Sequence, residues 1–523
     1  MDTPQANNSS LNEKTIMGHP RGLVILFLTE MWERFSYYGM RGLLVIYLTQ
    51  HFLFSDERSS LLYGAYTALV YVMTIIGGSL ADRYLGARKA VTFGAILLTL
   101  GHFGMTFEGS GSRQLLEYND TQYEISLDAR GGDAKQLIIS DSGTSYVTFT
   151  ETDMLIAEPE TVDLPAVIPR DQFTMSVETE EGYLMMLYLS LALLIAGVGF
   201  LKANISTIVG SLYGFGDSRR DSGFTIFYMG INMGAFLASI FCGYLGIVHG
   251  WKYGFGLAGI GMLVGLVVFL SCQSWLEGKA EPPSVEKLKE KVFLFINVEW
   301  MCYLVGLAII AVSMLLVMNE ELVGGILGPI GIIMLVGMVG YSLTKLHGDE
   351  RSRMLAAIYF ILAQIPFWAL FGQAGSSLNL LTARLVGRTI FGWSVPGPVF
   401  QSLNAGYIFI FAPLVAWLWI WLARRNLNPS TPVKFALGVA MAGLGFLALV
   451  GGMKGSGEVG LTPVIFIFLI YWIHTMGELM VSPVGLSAVT KLAPARIVGM
   501  TMGAWFLYSG LSNFLAGVIA RTT

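Results

Sequence analysis

Six charged side chains stand inside apolar runs that should not hold them: Glu30, Glu33, Arg34 and Arg41, then Lys202, then Glu478. Each run is long enough to cross about 30 Å of hydrocarbon as a helix. An ionised group at mid-membrane costs about 2.5–3.5 kcal/mol even on the lenient insertion scale, so each needs a partner or a task. On a helix Glu30, Glu33, Arg34, Tyr37 and Arg41 share one stripe, because 3, 4, 7 and 11 residues are near-whole turns. Glu30 and Arg34 have the i,i+4 spacing of an ion pair. Glu33 is then left beyond that pair, and Lys202 needs an acidic neighbour. Acids and bases so arranged can pass a proton between alternative pairings, the usual work of intramembrane carboxylates in transporters. The same cations would attract a substrate carboxylate and Glu478 an amine, so a zwitterion would satisfy both poles. A self-neutralising structural pair buried between helices is the plainer alternative for the stripe.

Polar uncharged residues supplement these. Asn232 sits mid-span, Gln401 and Asn404 open a later span, and Ser482-Pro483 follows Glu478 directly. A proline there is expected to break the helix and free backbone carbonyls, which is tolerable where a helix lines a cavity. Tyr71, Trp368 and Trp505 are candidates for a side-chain pocket, although membrane aromatics more often serve packing or the interface belt. His474, one turn before Glu478, reads as a core residue outside the site.

The elements that must position these residues follow from hydropathy. Of 523 residues 54% are hydrophobic and only 13% charged, with mean hydropathy +0.62. Soluble chains carry about 25% charge, so a soluble enzyme is excluded and a polytopic membrane protein is indicated. Approximate spans are 22–50, 59–80, 88–107, 183–209, 223–243, 252–272, 293–318, 322–344, 354–373, 399–423, 433–453, 461–484 and 498–520. Transmembrane β-strands would be about 10 residues long and alternating, so the spans are helices. The short loops place 19 Lys and Arg on the N-terminal side of the membrane and six on the other. That asymmetry makes the N-terminus, residues 1–20, cytoplasmic. The first 20 residues lack the regions of a cleaved signal peptide. Cys242, Cys272 and Cys302 all lie in or beside apolar runs, so no disulfide framework is indicated.

Residues 108–181 interrupt this pattern with 16 acidic and 4 basic residues, a net charge of −12, while the remainder carries +8. By the same topology the insertion is extracytoplasmic. Alternating or β-branched segments at 123–128, 136–140 and 146–150, with breaks at Gly131-Gly132 and Gly143, predict a small β domain. It reads as an acidic ectodomain or spacer, or else as a docking module whose partner is unknown. Residues 273–291 form a charged amphipathic connector. The helix pair within 292–346 has Glu299 as its only buried-looking charge and reads as a structural linker between a six-helix bundle, 21–272, and a second bundle, 354–523.

At these residues the sequence resembles a known family. Glu30-Met-Trp-Glu33-Arg34-Phe-Ser-Tyr37-Tyr38-Gly39 is similar to the ExxERFxYYG signature of the proton-dependent oligopeptide transporters of the major facilitator superfamily, in their bacterial form. Gly77-Gly-Ser-Leu-Ala-Asp82-Arg83-Tyr-Leu-Gly86-Ala-Arg88-Lys89 resembles the facilitator loop between the second and third helices. Phe227-Tyr-Met-Gly-Ile-Asn232-Met-Gly234 and Gly477-Glu478-Leu-Met-Val-Ser482-Pro483-Val-Gly485 resemble the family's fifth- and tenth-helix motifs. The resemblance implies a facilitator fold of two six-helix bundles plus two extra linker helices, here with a β-rich insertion. It implies a plasma-membrane importer of di- and tripeptides, driven by protons through alternating access, with protons as coupling ion and neither cofactor nor metal.

Carried over residue by residue, Glu30 and Glu33 would couple to protons, and Arg34 and Lys202 would partner them and anchor the peptide carboxylate. Glu478, with Asn232 and Asn404, would hold the peptide amino group. Tyr37, Tyr38, Tyr71, Gln401, Ser482 and Trp505 would shape the pocket, and Asp82, Arg83 and Arg88 would belong to the gating loop. The chain departs from the family pattern in several places. Gly372 stands where many members carry an acid that can pair with the fourth-helix lysine, which leaves Lys202 to rely on Glu30 or Glu33. Ala405 follows Asn404 where proline is common. The 13 spans stop one helix short of the expected bundle, which reads as truncation, and most members lack the insertion.

Two other readings compete. The same fold could move nitrate or a specialised metabolite, or a non-transporting receptor could bind a ligand through the acidic ectodomain. An enzyme is disfavoured, since the chain has no HExxH, no nucleophilic triad and no paired membrane aspartates. Nothing indicates nucleic acid; the implied partners are peptides, protons and the lipid bilayer.

Overall fold

The computed structural model describes residues 14–128, 135–214, 217, 219–293, 296–457 and 460–522. Most of the N-terminal tail, the Gly131-Gly132 break and the terminal Thr523 therefore lie outside the described residues. Each of the 13 expected spans has its helix. These are α1 (Gly22–Gln50), α2 (Asp56–Leu80), α3 (Ala87–Gly104), α4 (Glu181–Ser211), α5 (Arg220–Val248), α6 (Trp251–Ser271), α7 (Val298–Met318), α8 (Glu320–Lys345), α9 (Gly348–Phe371), α10 (Ser402–Arg424), α11 (Thr431–Gly455), α12 (Ile465–Leu492) and α13 (Val498–Arg521). Among the described residues eleven helical segments are long and apolar enough to cross a membrane. The others are α3, which begins with Arg88 and Lys89, and α1, whose run holds the four charged residues of the stripe. The chain is a multi-pass membrane protein.

The chain divides into two compact units: a helical one (Met1–Val45, Asp56–Thr106, Leu187–Thr523) and a smaller one (Ile46–Ser55, Phe107–Met186). In the helical unit α3 packs on α6 and α5 on α6, while α9, α11, α12 and α13 gather in a second bundle. The two bundles meet along α2–α13 and α5–α10. The linker pair leans on this seam: α7 and α8 both touch α2, and α8 also touches α13. Glycine permits the closest crossings. A Cβ on Gly64 would come within 2.9 Å of Gly517 Cα, and one on Gly94 within 2.6 Å of the Gly197 carbonyl oxygen. Backbones approach so closely because in lipid, helix association rests on packing of small residues rather than on a hydrophobic driving force.

One local expectation changes. The helix runs unbroken through Ser482-Pro483, because α12 continues to Leu492; membrane helices tolerate proline where neighbours re-satisfy the freed backbone groups. The connector over 273–291 is built from short pieces. It is a 3₁₀ turn (Gln273–Leu276), a five-residue helix (Val285–Lys289) capped by Ser284, and a short strand (Lys291–Phe293).

The smaller unit is β-rich, as expected. Its strands are β1 (Ser112–Tyr118), β2 (Thr121–Asp128), β3 (Lys135–Ser140), β4 (Gly143–Phe149), β5 (Asp153–Ile156), β6 (Val167–Pro169) and β7 (Phe173–Thr179). They form one sheet in the order β6-β5-β4-β3-β2-β1-β7, with antiparallel neighbours throughout. The two edge strands, β6 and β7, are joined by only Arg170–Gln172. Three residues reach about 10–14 Å, so the sheet must curl until its edges lie near each other. Leu116, Ile125, Ile138, Val147, Met154, Ile156, Ile168 and Phe173 fill the interior. Alternate residues point outward and carry the acidic charge.

Candidate functional site

The cavity between the two bundles has a volume of about 320 Å³. From the first bundle it is lined by Glu30, Arg34, Tyr38 and Arg41 on α1, Tyr71 on α2, Lys202 on α4 and Asn232 on α5; from the second by Gln401, Asn404, Glu478, Ser482 and Trp505. Residues from seven spans far apart in the chain thus meet at one place. Two of the expected site residues stand outside the lining. Tyr37 is buried (4% exposed), with its ring edge-on to Tyr38 and the Arg34 guanidinium 4.9 Å from its centroid. Glu33, 1% exposed, is turned to Arg34.

The pairing on the α1 stripe differs from the spacing argument. Arg34 donates from Nε and Nη2 to the two carboxylate oxygens of Glu33, the latter bond at 2.6 Å. Glu30 is the weaker partner, with Oε1 3.4 Å from Arg34 Nε. Its Oε2 is buried without a hydrogen-bond donor among the described residues. The carboxylate left over is therefore Glu30, on the cavity wall, and not Glu33.

Lys202 also departs from expectation. Among the described residues no carboxylate oxygen lies within 4.0 Å of it; its Nζ sits over the ring of Tyr71, 4.3 Å from the centroid. Arg41 is in the same position. It donates to the Tyr63 hydroxyl and lies 5.5 and 5.9 Å from the Tyr63 and Tyr38 ring centroids. Aromatic faces stabilise a cation by about 0.5–2 kcal/mol, well short of what burial of an unpaired charge costs. Arg41 and Lys202 thus stand on the cavity wall without a contact ion pair among the described residues, and with Arg34 they outnumber Glu30 and Glu33 by one charge. Arg41 stood on the stripe from the start; the missed signal was that one carboxylate pair cannot neutralise two arginines and a lysine.

On the opposite wall Glu478 Oε2 accepts from Asn404 Nδ2 at 2.8 Å, and the same nitrogen lies 3.1 Å from Thr475 Oγ1. Asn404 therefore fixes which way the carboxylate points. Asn232 Nδ2 donates to the Tyr228 carbonyl of its own helix, and Gln401 Nε2 to the Gly42 carbonyl at 3.3 Å. His474 is bonded through Nε2 to the Ala442 carbonyl at 3.0 Å and is absent from the lining. Trp368, Phe371, Tyr228, Tyr471, Phe506, Ser509 and Asn513 complete the wall. Gly372 is buried, and a Cβ there would come 2.8 Å from Ala516 Cβ, so α13 occupies the space of any side chain at this position.

The loop motif lies elsewhere. A π-turn over Ala81–Leu85 ends at Gly86, whose φ of +73° suits glycine. A Cβ there would come 2.5 Å from Pro282 N and 2.7 Å from the Glu281 carbonyl carbon. Arg88 holds Glu281 through two bonds of 2.7 and 2.8 Å and donates to Gln273 at 2.9 Å. Lys89 pairs with Glu299 at 2.5 Å, so the charge expected to be buried on α7 ties the linker pair to α3. Asp82 and Arg83 are exposed. At the other end of the bundles Arg384 meets Asp56 at 2.5 and 2.9 Å, and Arg521 meets Glu57.

Known proteins are similar to this chain in sequence and fold. The sequence model of the POT family matches residues 88–523. An uncharacterised transporter, YclF, of Bacillus subtilis is 32% identical over 98% of this chain and 89% of its own. The peptide transporter YePEPT of Yersinia enterocolitica is 30% identical over 98% and 90%. The crystal structure of a peptide transporter POT, in a mutant form with alafosfalin bound, superposes with a TM-score of 0.74 at 32% identity, covering 98% of this chain and 90% of that one.

Proposed function

The chain belongs to the POT family, and on that premise we propose that it is a proton-coupled symporter importing di- and tripeptides by alternating access. The observation that carries this reading is the division of charge in the cavity. Two cations with no carboxylate within 4.0 Å among the described residues, Arg41 and Lys202, come from the first bundle, and Glu478, oriented by Asn404, comes from the second. A zwitterion bound between them spans the two bundles. Its carboxylate offsets the unpaired cations and its amine offsets Glu478, so binding favours the arrangement in which the bundles approach. Free side chains on a short peptide fall against Trp368, Phe371, Trp505 and Phe506, apolar and aromatic surfaces that discriminate weakly among side chains. A nitrate transporter would have no use for Glu478, and a receptor none for Glu30.

Proton coupling enters through Glu30. Arg34 is already matched by Glu33, so Glu30 is the acid free to be protonated when a substrate carboxylate competes for the nearby cations, and to release the proton when that carboxylate leaves. Each proton entering draws about 2.3 kcal/mol per 100 mV of membrane potential, besides any pH gradient. The N-terminus and the even-numbered loops are assigned to the cytoplasm by their Lys and Arg content. The pairs Asp56–Arg384 and Glu57–Arg521 then close the outer end, as in a state that faces inward. Acidification-driven dipeptide uptake in proteoliposomes tests the reading; uptake indifferent to both pH and membrane potential would end the coupling claim.

A further inference from the structure

A second, larger cavity of about 720 Å³ lies between α10, α11 and α12. Its inner end shares Tyr228, Glu478, Ser482 and Leu486 with the central cavity. Its walls are otherwise mostly apolar, but its lining also holds two cations, Lys434 at the start of α11 and Lys491 in the last turn of α12. Neither has a carboxylate oxygen within 4.0 Å among the described residues. Lys434 is half-buried with its Nζ 4.3 Å from the centroid of the Trp419 ring, Lys491 is exposed, and Arg425 stands over Trp421 at the same end. The positive-inside rule accounts for basic residues on a loop. It does not account for a lysine that lines a mostly apolar groove and lies on an aromatic ring, with no carboxylate within 4.0 Å among the described residues.

We propose that this groove holds one anionic phospholipid. Its phosphate sits at Lys434 and Lys491, and one acyl chain lies along α12 toward Glu478. From Lys491 back to Glu478 is 13 residues, about 20 Å of helix, which suits an extended acyl chain. Basic pockets between transmembrane helices are the general recognition mode for such headgroups, and the apolar walls exclude a freely soluble anion as the better fit. The chain would meet Leu486 and Pro483, while the Glu478 carboxylate stays turned to Asn404. The lipid thereby lies against Tyr228, Glu478, Ser482 and Leu486, which the groove shares with the central cavity.

The test uses purified full-length protein, stripped of lipid, titrated with phosphatidylglycerol and followed by native mass spectrometry. Phosphatidylcholine of the same chains and glycerol phosphate serve as comparators. One phosphatidylglycerol should be retained at concentrations at least tenfold lower than phosphatidylcholine. Lys434→Gln/Lys491→Gln should lose that preference, and the charge-matched Lys345→Gln/Arg353→Gln should keep it. Should the groove variant not fold, Ala416→Trp, which fills the groove without changing charge, should abolish retention of either lipid. Equal retention of the two lipids by the parent protein overturns the proposal. So does displacement by glycerol phosphate at equal concentration, or a preference that survives the substitutions.

Discussion

Glu33 holds Arg34 through both of its carboxylate oxygens, although the two residues are adjacent in sequence and Glu30 has the favoured i,i+4 spacing. The consequence is a division of labour between two acids of one signature. Glu33 neutralises a buried guanidinium, and Glu30 keeps an oxygen without a donor beside the cavity.

The two glutamines should therefore behave differently. Glu33→Gln removes one partner of a fully buried pair and is expected to destabilise the protein by about 3–5 kcal/mol, read as a large fall in thermal unfolding temperature. Glu30→Gln should leave the unfolding temperature nearly unchanged and preserve dipeptide counterflow while abolishing proton-driven accumulation. Accumulation retained in a stable Glu30→Gln protein would remove Glu30 from the coupling role.

The unpaired cations make a second prediction. Arg41→Gln and Lys202→Gln should each weaken dipeptides with a free carboxylate by at least about 30-fold, since truncating one side of a desolvated charge pair costs about 2–5 kcal/mol. Peptide amides, already lacking that charge, should lose far less. Binding measured by scintillation proximity compares the two classes directly, and equal losses would mean that the cations serve structure alone.

On the facing wall Glu478→Gln should weaken peptides with a free amino terminus more than N-acetylated ones. Asn404→Ala should reproduce part of that effect, because the 2.8 Å bond from Asn404 orients the carboxylate. Competition by blocked and free peptides measures the difference; Asn404→Ala indistinguishable from the parent in both would show that Glu478 needs no orienting partner.

Much of this architecture was legible because lipid imposes long apolar helices, and because a period of 3.6 puts Glu30, Glu33, Arg34 and Arg41 on one stripe. Which acid would grip Arg34 was not legible, since both lie within reach and the choice depends on rotamers fixed by neighbouring helices. Lys202 turned to an aromatic ring rather than to an acid, and Tyr37 left the cavity although it shares the stripe. Pro483 misled because its freed carbonyl need not end a helix. The strand order of the insertion escaped for another reason: it depends on β1 pairing with β7, more than fifty residues away, and no local pattern encodes such a pairing.

The outer closure rests on weaker forces. The Arg384 and Asp56 side chains are 45% and 51% exposed, so their pair is worth about 0.2–1 kcal/mol. Arg384→Gln should shift the balance between conformations by no more than roughly fivefold. Arg384→Gln/Arg521→Gln, which removes both pairs, should shift it further. Double electron–electron resonance between labels at the outer ends of α2 and α13 reads the populations, and a shift well beyond tenfold for the single variant would mean that the closure is cooperative.

The insertion should be dispensable for transport. Ser112 and Thr179 lie directly opposite each other in the β1–β7 pair, with their hydroxyls 2.6 Å apart. Excising 113–178 and joining these two residues by Asn-Gly asks the chain only to make a two-residue hairpin turn, the commonest connection between antiparallel neighbours. The interior of the insertion is built from its own strands, so its removal takes an entire core away rather than opening one. The shortened protein should elute as a single species and transport dipeptides within about twofold of the parent rate. A folded, monodisperse protein that no longer transports would place the acidic domain inside the transport cycle, as a module that gathers substrate or governs opening of the outer end.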